Sequence, residues 1–137
     1  MILGVDPGIR NIGLAVVNEA GRLVCRETVT NPRKRPFLKC LAEVVRKVRL
    51  HAGVTCDTVV VEEVIWRGRR GMLPLAHVAG AVVGAAVERG CTTYLVTPAM
   101  KKNGRKPKAW SEHEWDAYLL ARRALRPDET MRRRCSK

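Results

Sequence analysis

The first 17 residues, MILGVDPGIRNIGLAVV, constrain the fold more than any other stretch of this chain. Residues 2–5 and 12–17 are short apolar runs with little polar alternation, which is typical of fully buried strands. Pro7-Gly8 breaks the chain between them, and two strands so close in sequence must pair as an antiparallel hairpin. Asp6 therefore stands where a central strand leaves the sheet, a position at which α/β folds place ligands. On this segment alone, Asp6 could equally cap the Pro-Gly turn.

The rest of the chain alternates strand and helix patterns. Three stretches rich in β-formers predict further strands, the first of them at a sheet edge: residues 22–29, 58–61 and 92–97. Three stretches with helical apolar periodicity predict helices: residues 37–50, 73–88 and 111–124. Ser111 and Glu114 have the spacing of a capping box, which marks the start of the last helix. This order predicts an α/β fold with a mixed five-stranded sheet and helices on both faces. We expect one domain over residues 1–126 and a frayed basic tail over residues 127–137.

The net charge of +13 indicates a polyanionic partner, of which nucleic acid is the commonest. Basic residues cluster in four runs: residues 31–35, 67–70, 101–108 and 132–134. One Phe and two Tyr are too few for base stacking to be the main binding mode. Contacts to the phosphate backbone are therefore expected.

The five cysteines are odd in number and widely spaced, with no C-x-x-C pair. This pattern favours neither a zinc knuckle nor a disulfide framework, so we expect small buried hydrophobic residues in a reducing cytoplasm. The chain does not open with the basic region of a signal peptide, and the apolar residues 73–87 are too short to span a bilayer. We therefore expect a cytoplasmic protein that does not contact a membrane.

The helix predicted over residues 73–88 is apolar nearly all round and contains Gly80 and Gly84. Such a helix is buried on more than one side. We expect it to pack against the sheet and against a partner subunit, with the two glycines allowing close approach of another backbone.

Acidic residues follow two of the predicted buried strands, and the last helix begins with His113 and Asp116 on one face. If the strands are neighbours and the helix packs beside them, four side chains converge: Asp6, Glu62, His113 and Asp116. Crowded carboxylates repel unless a divalent cation joins them, and oxygen-rich sites suit magnesium or manganese. Two such ions roughly 4 Å apart can activate water and stabilise the leaving oxygen of a phosphodiester. In a strongly basic protein, this chemistry indicates nucleic-acid cleavage.

Two alternatives remain open among these candidates. Glu63 points to the opposite side of its strand from Glu62, and we favour Glu62 because Val60 and Glu62 share the face that Asp6 requires. Glu112 lies four residues before Asp116 and could replace His113 as a ligand.

Four segments, ILGVDPGIRNIGLAVV, VVVEEV, NGRKPK and HEWDAYLLA, resemble in order the motifs of RuvC-type Holliday junction resolvases. The resemblance spans residues 1 to about 123. It implies an RNase H-like fold and a dimeric, magnesium-dependent endonuclease. By position, Asp6 and Glu62 match the first two metal ligands of the family, and Asp116 matches the aspartate of the last helix. Family members have Asp or His at the position of His113.

The resemblance also implies two magnesium or manganese ions and a set of DNA-binding residues. Lys108 matches a basic residue near the scissile phosphate, and Lys101 or Lys102 matches another family lysine. The expected DNA contacts are Trp66, Arg67, Arg69, Arg70, Lys101, Lys102, Arg105, Lys106 and Lys108.

This chain departs from the family pattern in three places, one of which is a trimmed loop after Lys102. The segment between Lys108 and His113 is shorter than in typical bacterial members. A phage or another reduced genome could encode such a short form. A phage-encoded protein would act in the host cytoplasm. The family wedges an aromatic residue into the junction, whereas this chain has Ile65 at that position and Trp66 beside it, so either residue is a candidate wedge.

The expected function is therefore symmetric, metal-dependent cutting of a four-way (Holliday) junction in branched DNA by a homodimer. The alternatives are a related nuclease acting on forks, flaps or RNA, a YqgF-type RNA-processing protein, and a non-catalytic binder of branched DNA.

Overall fold

The computed structural model describes residues 1–8, 10–64, 72–97, 104–126 and 132–134. The described strands form one sheet with the order β3-β2-β1-β4-β5-β6. Its strands are β1 (Ile2–Asp6), β2 (Asn11–Val17), β3 (Leu23–Thr30), β4 (Thr58–Glu62), β5 (Thr92–Val96) and β6 (Arg132–Arg134). The described helices are α1 (Phe37–His51), α2 (Met72–Glu88) and α3 (Glu112–Arg123).

The topology agrees with the pattern of the sequence. β1 pairs antiparallel with β2 as the predicted hairpin, and β2 pairs antiparallel with β3, which lies at the sheet edge as predicted. β4 pairs parallel with both β1 and β5. The helix α1 connects β3 to β4, and α2 forms the crossover from β4 to β5. The mixed sheet with helices on both faces is confirmed.

A sixth strand adds to the five predicted strands and lies within the predicted C-terminal tail. Arg132–Arg134 pairs antiparallel with β5 over Thr93 to Leu95. The outer edge of β5 offers free backbone N–H and C=O groups, which a passing extended segment can satisfy whatever its side chains. Local composition did not reveal this pairing, because three consecutive arginines have no strand periodicity.

Side chains alternate between two apolar layers. On one face, Leu3, Val5 and Val61 pack with α1 and α2. On the other face, Ile2 and Val60 pack with Leu120 and Ala121 of α3. The central strands therefore have no polar face, which explains their continuous apolar sequence.

Two glycines of the hairpin allow α3 to lie directly on the sheet backbone. A Cβ atom at Gly4 would lie 1.9 Å from the carbonyl oxygen of Ala117, and one at Gly13 would lie 1.9 Å from that of His113. Any side chain at either position would push the helix away, so these glycines fix the height of α3 above β1 and β2.

The prediction of buried cysteines is correct for Cys40, Cys56 and Cys91 and wrong for Cys25. Burial raises the pKa of the Cys56 and Cys91 thiols and keeps them neutral. Cys25 is exposed because it lies on the edge strand β3. Cys135 lies outside the described residues.

Within the described ranges, no helix combines the length and apolar character needed to cross a membrane.

Candidate active site

Asp6 is the last residue of β1, and its side chain is almost fully buried at the carboxyl end of this central strand. Its Oδ2 lies 2.9 Å from Nδ1 of His113, which is half-buried in the first turn of α3. The close packing of α3 on Gly13, the β2 partner of Asp6, brings the two side chains together. The structure therefore joins two of the four predicted ligands, which are 107 positions apart in the sequence.

Glu62 ends β4, the parallel neighbour of β1. The register pairs Val5 with Val61, so the next residues, Asp6 and Glu62, lie side by side at the carboxyl ends of β1 and β4. Val60 packs against α3, and Glu62 shares its face because side chains alternate along a strand. By the same alternation, Glu63 belongs to the opposite face. This register favours Glu62 over Glu63 as the neighbour of Asp6.

Asp116 is half-buried and lies one helical turn after His113 on α3. Glu112 has a side chain that is 73% exposed, and its Oε1 lies 3.5 Å from Nζ of Lys106. The contact that His113 makes with Asp6 favours His113 over Glu112 as the donor at this position.

The predicted donor set consists of three carboxylates and one imidazole from β1, β4 and α3, and a divalent cation prefers donors of this kind. As these side chains are arranged in the described parts of the chain, no three His, Cys, Asp or Glu residues form a group that could hold a metal ion. Asp6 and His113, two members of the predicted set, are in direct contact.

A polar network anchors the first turn of α3 to the edge strand β3. The predicted capping box is present: the Glu114 N–H donates to Ser111 Oγ (3.1 Å) and the Ser111 N–H donates to Glu114 Oε2 (3.0 Å). Arg26 of β3 donates to the same Glu114 oxygen at 2.5 Å. The hydroxyls of Thr28 and Ser111 lie 2.8 Å apart. Because His113 belongs to this first turn, the network also fixes the helix end that carries it.

Three aromatic rings pack together beside this network, with centroids 5.2 to 5.8 Å apart: Trp110, Trp115 and Tyr118. The Arg26 guanidinium lies over the Trp110 ring, 4.9 Å from its centroid. Gly104 approaches Trp115 so closely that a Cβ atom there would lie 3.2 Å from the ring. These contacts hold the basic segment 104–110 against α3.

The predicted DNA contacts in this segment differ in their surroundings. Lys108 and Arg105 are exposed, whereas Lys106 is half-buried and donates to the carbonyl oxygen of Trp110 at 2.9 Å. Seven other predicted positions lie outside the described residues: Ile65, Trp66, Arg67, Arg69, Arg70, Lys101 and Lys102.

Sequence reasoning missed the role of Arg26. The Arg26–Glu114 pair joins residues 88 positions apart, and no local pattern links an arginine in a strand to a helix cap so distant. The strand register pairs Arg26 with Ala15 and so puts Arg26 on the face of the sheet that packs against α3.

Glu114→Ala is expected to lower the free energy of unfolding by about 1–2 kcal/mol, because it removes the side-chain half of the capping box and the partner of Arg26. Chemical denaturation of the purified variant measures this loss. Glu112→Ala is the matched control, since it removes the neighbouring, largely exposed carboxylate and should change the stability little. Equal effects of the two substitutions would show that the network does not anchor α3.

The sheet order, the parallel placement of β4 beside the first hairpin and the packing of α3 on β1 and β2 define an RNase H-like fold. A solved Thermus thermophilus RuvC in complex with a Holliday junction substrate has this fold, with a TM-score of 0.74 and 23% identity over 90% of this chain and 92% of that chain. The Fowlpox virus resolvase, solved with its substrate Holliday junction DNA, matches with a TM-score of 0.57 and 12% identity over 91% of this chain and 98% of that chain.

Sequence comparison places the chain within this fold more narrowly. The family described as "Crossover junction endodeoxyribonuclease RuvC" matches residues 2–110. The protein of that name from Corynebacterium glutamicum is 35% identical over 121 residues, covering 78% of this chain and 53% of the relative. Its counterpart from Corynebacterium diphtheriae is 32% identical over 120 residues, covering 77% of this chain and 72% of the relative. The chain therefore belongs to the RuvC family.

The matches cover only part of the relatives and only part of this chain. The chain spans about half the length of the Corynebacterium glutamicum and Corynebacterium efficiens relatives. The family match ends at residue 110, before α3. The assignment of His113 and Asp116 as site residues therefore depends on the position of α3 in the fold and not on that match.

Proposed function

We propose that this protein is a metal-dependent endonuclease that resolves four-way DNA junctions as a homodimer, with residues 1–126 as its nuclease domain. The observation that carries the proposal is the contact between Asp6 and His113 at the sheet edge where Glu62 also ends its strand. Membership of the RuvC family and a net charge of +13 support DNA as the substrate. We place its action in the cytoplasm of a bacterium, or of the host if a phage encodes it.

The residues proposed to hold one or two magnesium or manganese ions are Asp6, Glu62, His113 and Asp116. Such ions supply Lewis-acid stabilisation and an activated water for phosphodiester hydrolysis. Burial of Asp6 places its carboxylate where water is largely excluded, which strengthens its attraction for a cation. The contact with Asp6 orients the imidazole of His113, and the packing of its own helix on Gly13 limits its movement.

Lys108 is proposed to stabilise negative charge on the phosphate during cleavage. It is exposed and lies four residues before the first helical residue of α3, in the segment that the aromatic cluster holds against the helix. Arg105 and Lys108 are proposed to contact the DNA backbone directly, together with the other predicted contacts Trp66, Arg67, Arg69, Arg70, Lys101 and Lys102.

A comparison of four labelled substrates tests this function: an immobile four-way junction, a replication fork, a flap and an RNA duplex. With magnesium or manganese, we expect paired, symmetrically placed cuts in the junction and much weaker cutting of the others. Preferential cutting of forks, flaps or RNA would replace the proposal with a related nuclease activity. Junction binding without cutting in either metal would favour a non-catalytic binder.

The proposed dimer interface is the outward side of α2. Leu73 and Val87 are 56% and 38% exposed there, and Cβ atoms at Gly80 and Gly84 would meet no atom within 4 Å. Glycine inside a helix costs about 1 kcal/mol relative to alanine, and no contact within the subunit requires it at these positions. A second subunit whose backbone approaches this side of α2 accounts for both glycines and for the exposed apolar residues.

Gly84→Leu is expected to convert the dimer to a folded monomer, because the new side chain has room within the subunit but would hold the partner away. Sedimentation velocity measures the change in mass, and circular dichroism checks that the fold is retained. Lys39→Leu is the control, since it places the same side chain on the exposed surface of α1. A Gly84→Leu protein that stays dimeric would remove α2 from the interface.

A further inference from the structure

A pocket of about 200 Å³ lies between the end of β3 and the start of α1. Its wall includes Arg10, Asn31, Arg33, Arg35, Phe37 and Cys40. The pocket lies at the same end of the strands as Asp6. At that end, Asp6 of β1 pairs with Gly13 of β2, and Asn11 of β2 pairs with Thr30 of β3. Nothing in the proposed cleavage chemistry uses these residues.

The pocket is strongly basic. Three arginines at the pocket are exposed: Arg10, Arg33 and Arg35. Their guanidinium groups form no ion pair with another described residue. The described residues that line the pocket include no acid. Glu43 is a nearby acid, but Arg46 donates two hydrogen bonds to it, at 3.0 and 2.8 Å. These bonds are the main reason that the pKa of Glu43 is lowered, and Arg35 contributes less. The positive charge of the pocket is therefore left without a carboxylate partner in its wall.

Asn31 provides an observation independent of charge. Its side chain lies in the pocket wall and the residue is only 4% exposed. Its backbone N–H donates to the carbonyl oxygen of Arg10 at 2.7 Å, and its Oδ1 accepts from Arg35 at 3.4 Å. Its Nδ2 is buried and has no hydrogen-bond partner among the described residues. A buried donor without an acceptor costs about 1–3 kcal/mol, which a bound ion or water would recover.

The start of α1 adds a third source of anion preference. The N-cap residue, Pro36, makes no side-chain hydrogen bond to the helix, and the first turn contains no acidic residue. The positive end of the dipole of this 15-residue helix therefore has no compensating side chain. Phe37 and Cys40, both in the first turn, line the pocket, so this helix end faces the same space.

We propose that this α1 pocket is a phosphate-binding subsite that holds one backbone phosphate of a DNA arm close to the cleaved strand. The inference rests on the proposed function, which supplies DNA as the ligand. A phosphate oxygen can accept from the planar guanidinium groups of the pocket arginines. It can also accept from Nδ2 of Asn31 if the Asn31 side chain turns toward the pocket. The start of α1 favours an anion at the same place. The volume of about 200 Å³ is large enough for a single phosphate group. Free inorganic phosphate shares this chemistry, so the test separates the two sources.

The first arm of the test compares the salt dependence of junction binding, measured without divalent ions so that no cutting occurs. Arg33→Gln/Arg35→Gln should weaken binding and reduce the slope of log K against log salt by about 0.9, because the variant neutralises one phosphate fewer. Arg22→Gln/Arg89→Gln is the matched control, because it removes the same charge from exposed positions at the opposite end of the sheet. Asn31→Asp, nearly the same shape with a negative charge, should weaken binding in the same direction.

The second arm locates the phosphate. Single methylphosphonate linkages, which lack the negative charge, are placed in turn along each arm of the junction. We expect one linkage whose replacement lowers the affinity of the wild-type protein but does not lower the affinity of Arg33→Gln/Arg35→Gln, because this variant no longer binds that phosphate. Inorganic phosphate is titrated separately while the Asn31 side-chain amide signal is followed by NMR.

The inference is overturned if the pocket variants and the control variants have equal slopes, or if every linkage weakens binding equally in the wild-type protein and in Arg33→Gln/Arg35→Gln. A shift of the Asn31 amide with free phosphate, without a linkage that distinguishes the two proteins, would also overturn it by assigning the pocket to a free anion. These outcomes leave the proposed function intact as long as the wild-type protein cuts the junction, whereas absence of cutting is the failure of the proposed function itself.

Discussion

Asp6→Asn is expected to abolish cutting of a four-way junction while leaving junction binding intact. The substitution keeps the shape of the side chain and removes the negative charge at the carboxyl end of β1, which the proposed metal site requires. We expect a loss of about a thousandfold or more in cleavage rate, which corresponds to about 4 kcal/mol of transition-state stabilisation. Single-turnover cleavage with excess protein measures this loss, and a gel-shift titration measures binding.

The control for this result is Asp57→Asn. The Asp57 side chain is 84% exposed at the opposite end of the sheet, where it lies 3.7 Å from the amino terminus. Loss of charge at this position should leave both cleavage and binding near the wild-type values. An Asp6→Asn protein that cuts at more than about a tenth of the wild-type rate, a difference below about 1.4 kcal/mol, would remove Asp6 from the active site.

Gly13→Ala is expected to destabilise the protein and to reduce cleavage together. The new Cβ atom would lie 1.9 Å from the carbonyl oxygen of His113, which belongs to the backbone and cannot rotate away. The first turn of α3 must therefore move, and His113 moves with it, away from Asp6. Overpacking of this kind costs about 1–3 kcal/mol. Urea denaturation measures the loss of stability, and cleavage under conditions where the variant remains folded measures the effect on the site.

Val24→Ala provides the reference for a substitution in a strand without such a contact. Val24 is 52% exposed on β3, so its replacement should change stability by no more than about 0.5 kcal/mol. If Gly13→Ala behaved like Val24→Ala in both assays, α3 would not lie on the hairpin as described.

The fold could be predicted largely from local patterns. The first hairpin followed from two apolar runs around Pro7-Gly8, and the start of α3 followed from the spacing of Ser111 and Glu114. The choice of Glu62 over Glu63 rested on strand alternation, and the parallel register of β1 and β4 agrees with it. These features depend on residues close in sequence or on a period of two, which a sequence displays directly.

Features that depend on contacts between distant residues could not be predicted in this way. The interaction of Arg26 with Glu114 and the pairing of β6 with β5 both join elements that local composition does not relate. The glycines at positions 4 and 13 appeared only as part of an apolar run, and their function became evident when α3 was seen against them. The basic run at residues 31–35 was visible, but the buried amide of Asn31 and the uncapped start of α1 that make it a pocket were not.

The most direct test of the central claim is a titration of Mn²⁺ into the protein bound to a junction, with free Mn²⁺ followed by electron paramagnetic resonance. Asp6, Glu62, His113 and Asp116 are proposed to hold the ion together, so the wild-type complex should bind one or two more ions per chain than the Asp6→Asn complex on the same DNA. Equal Mn²⁺ binding by the two complexes would contradict the account.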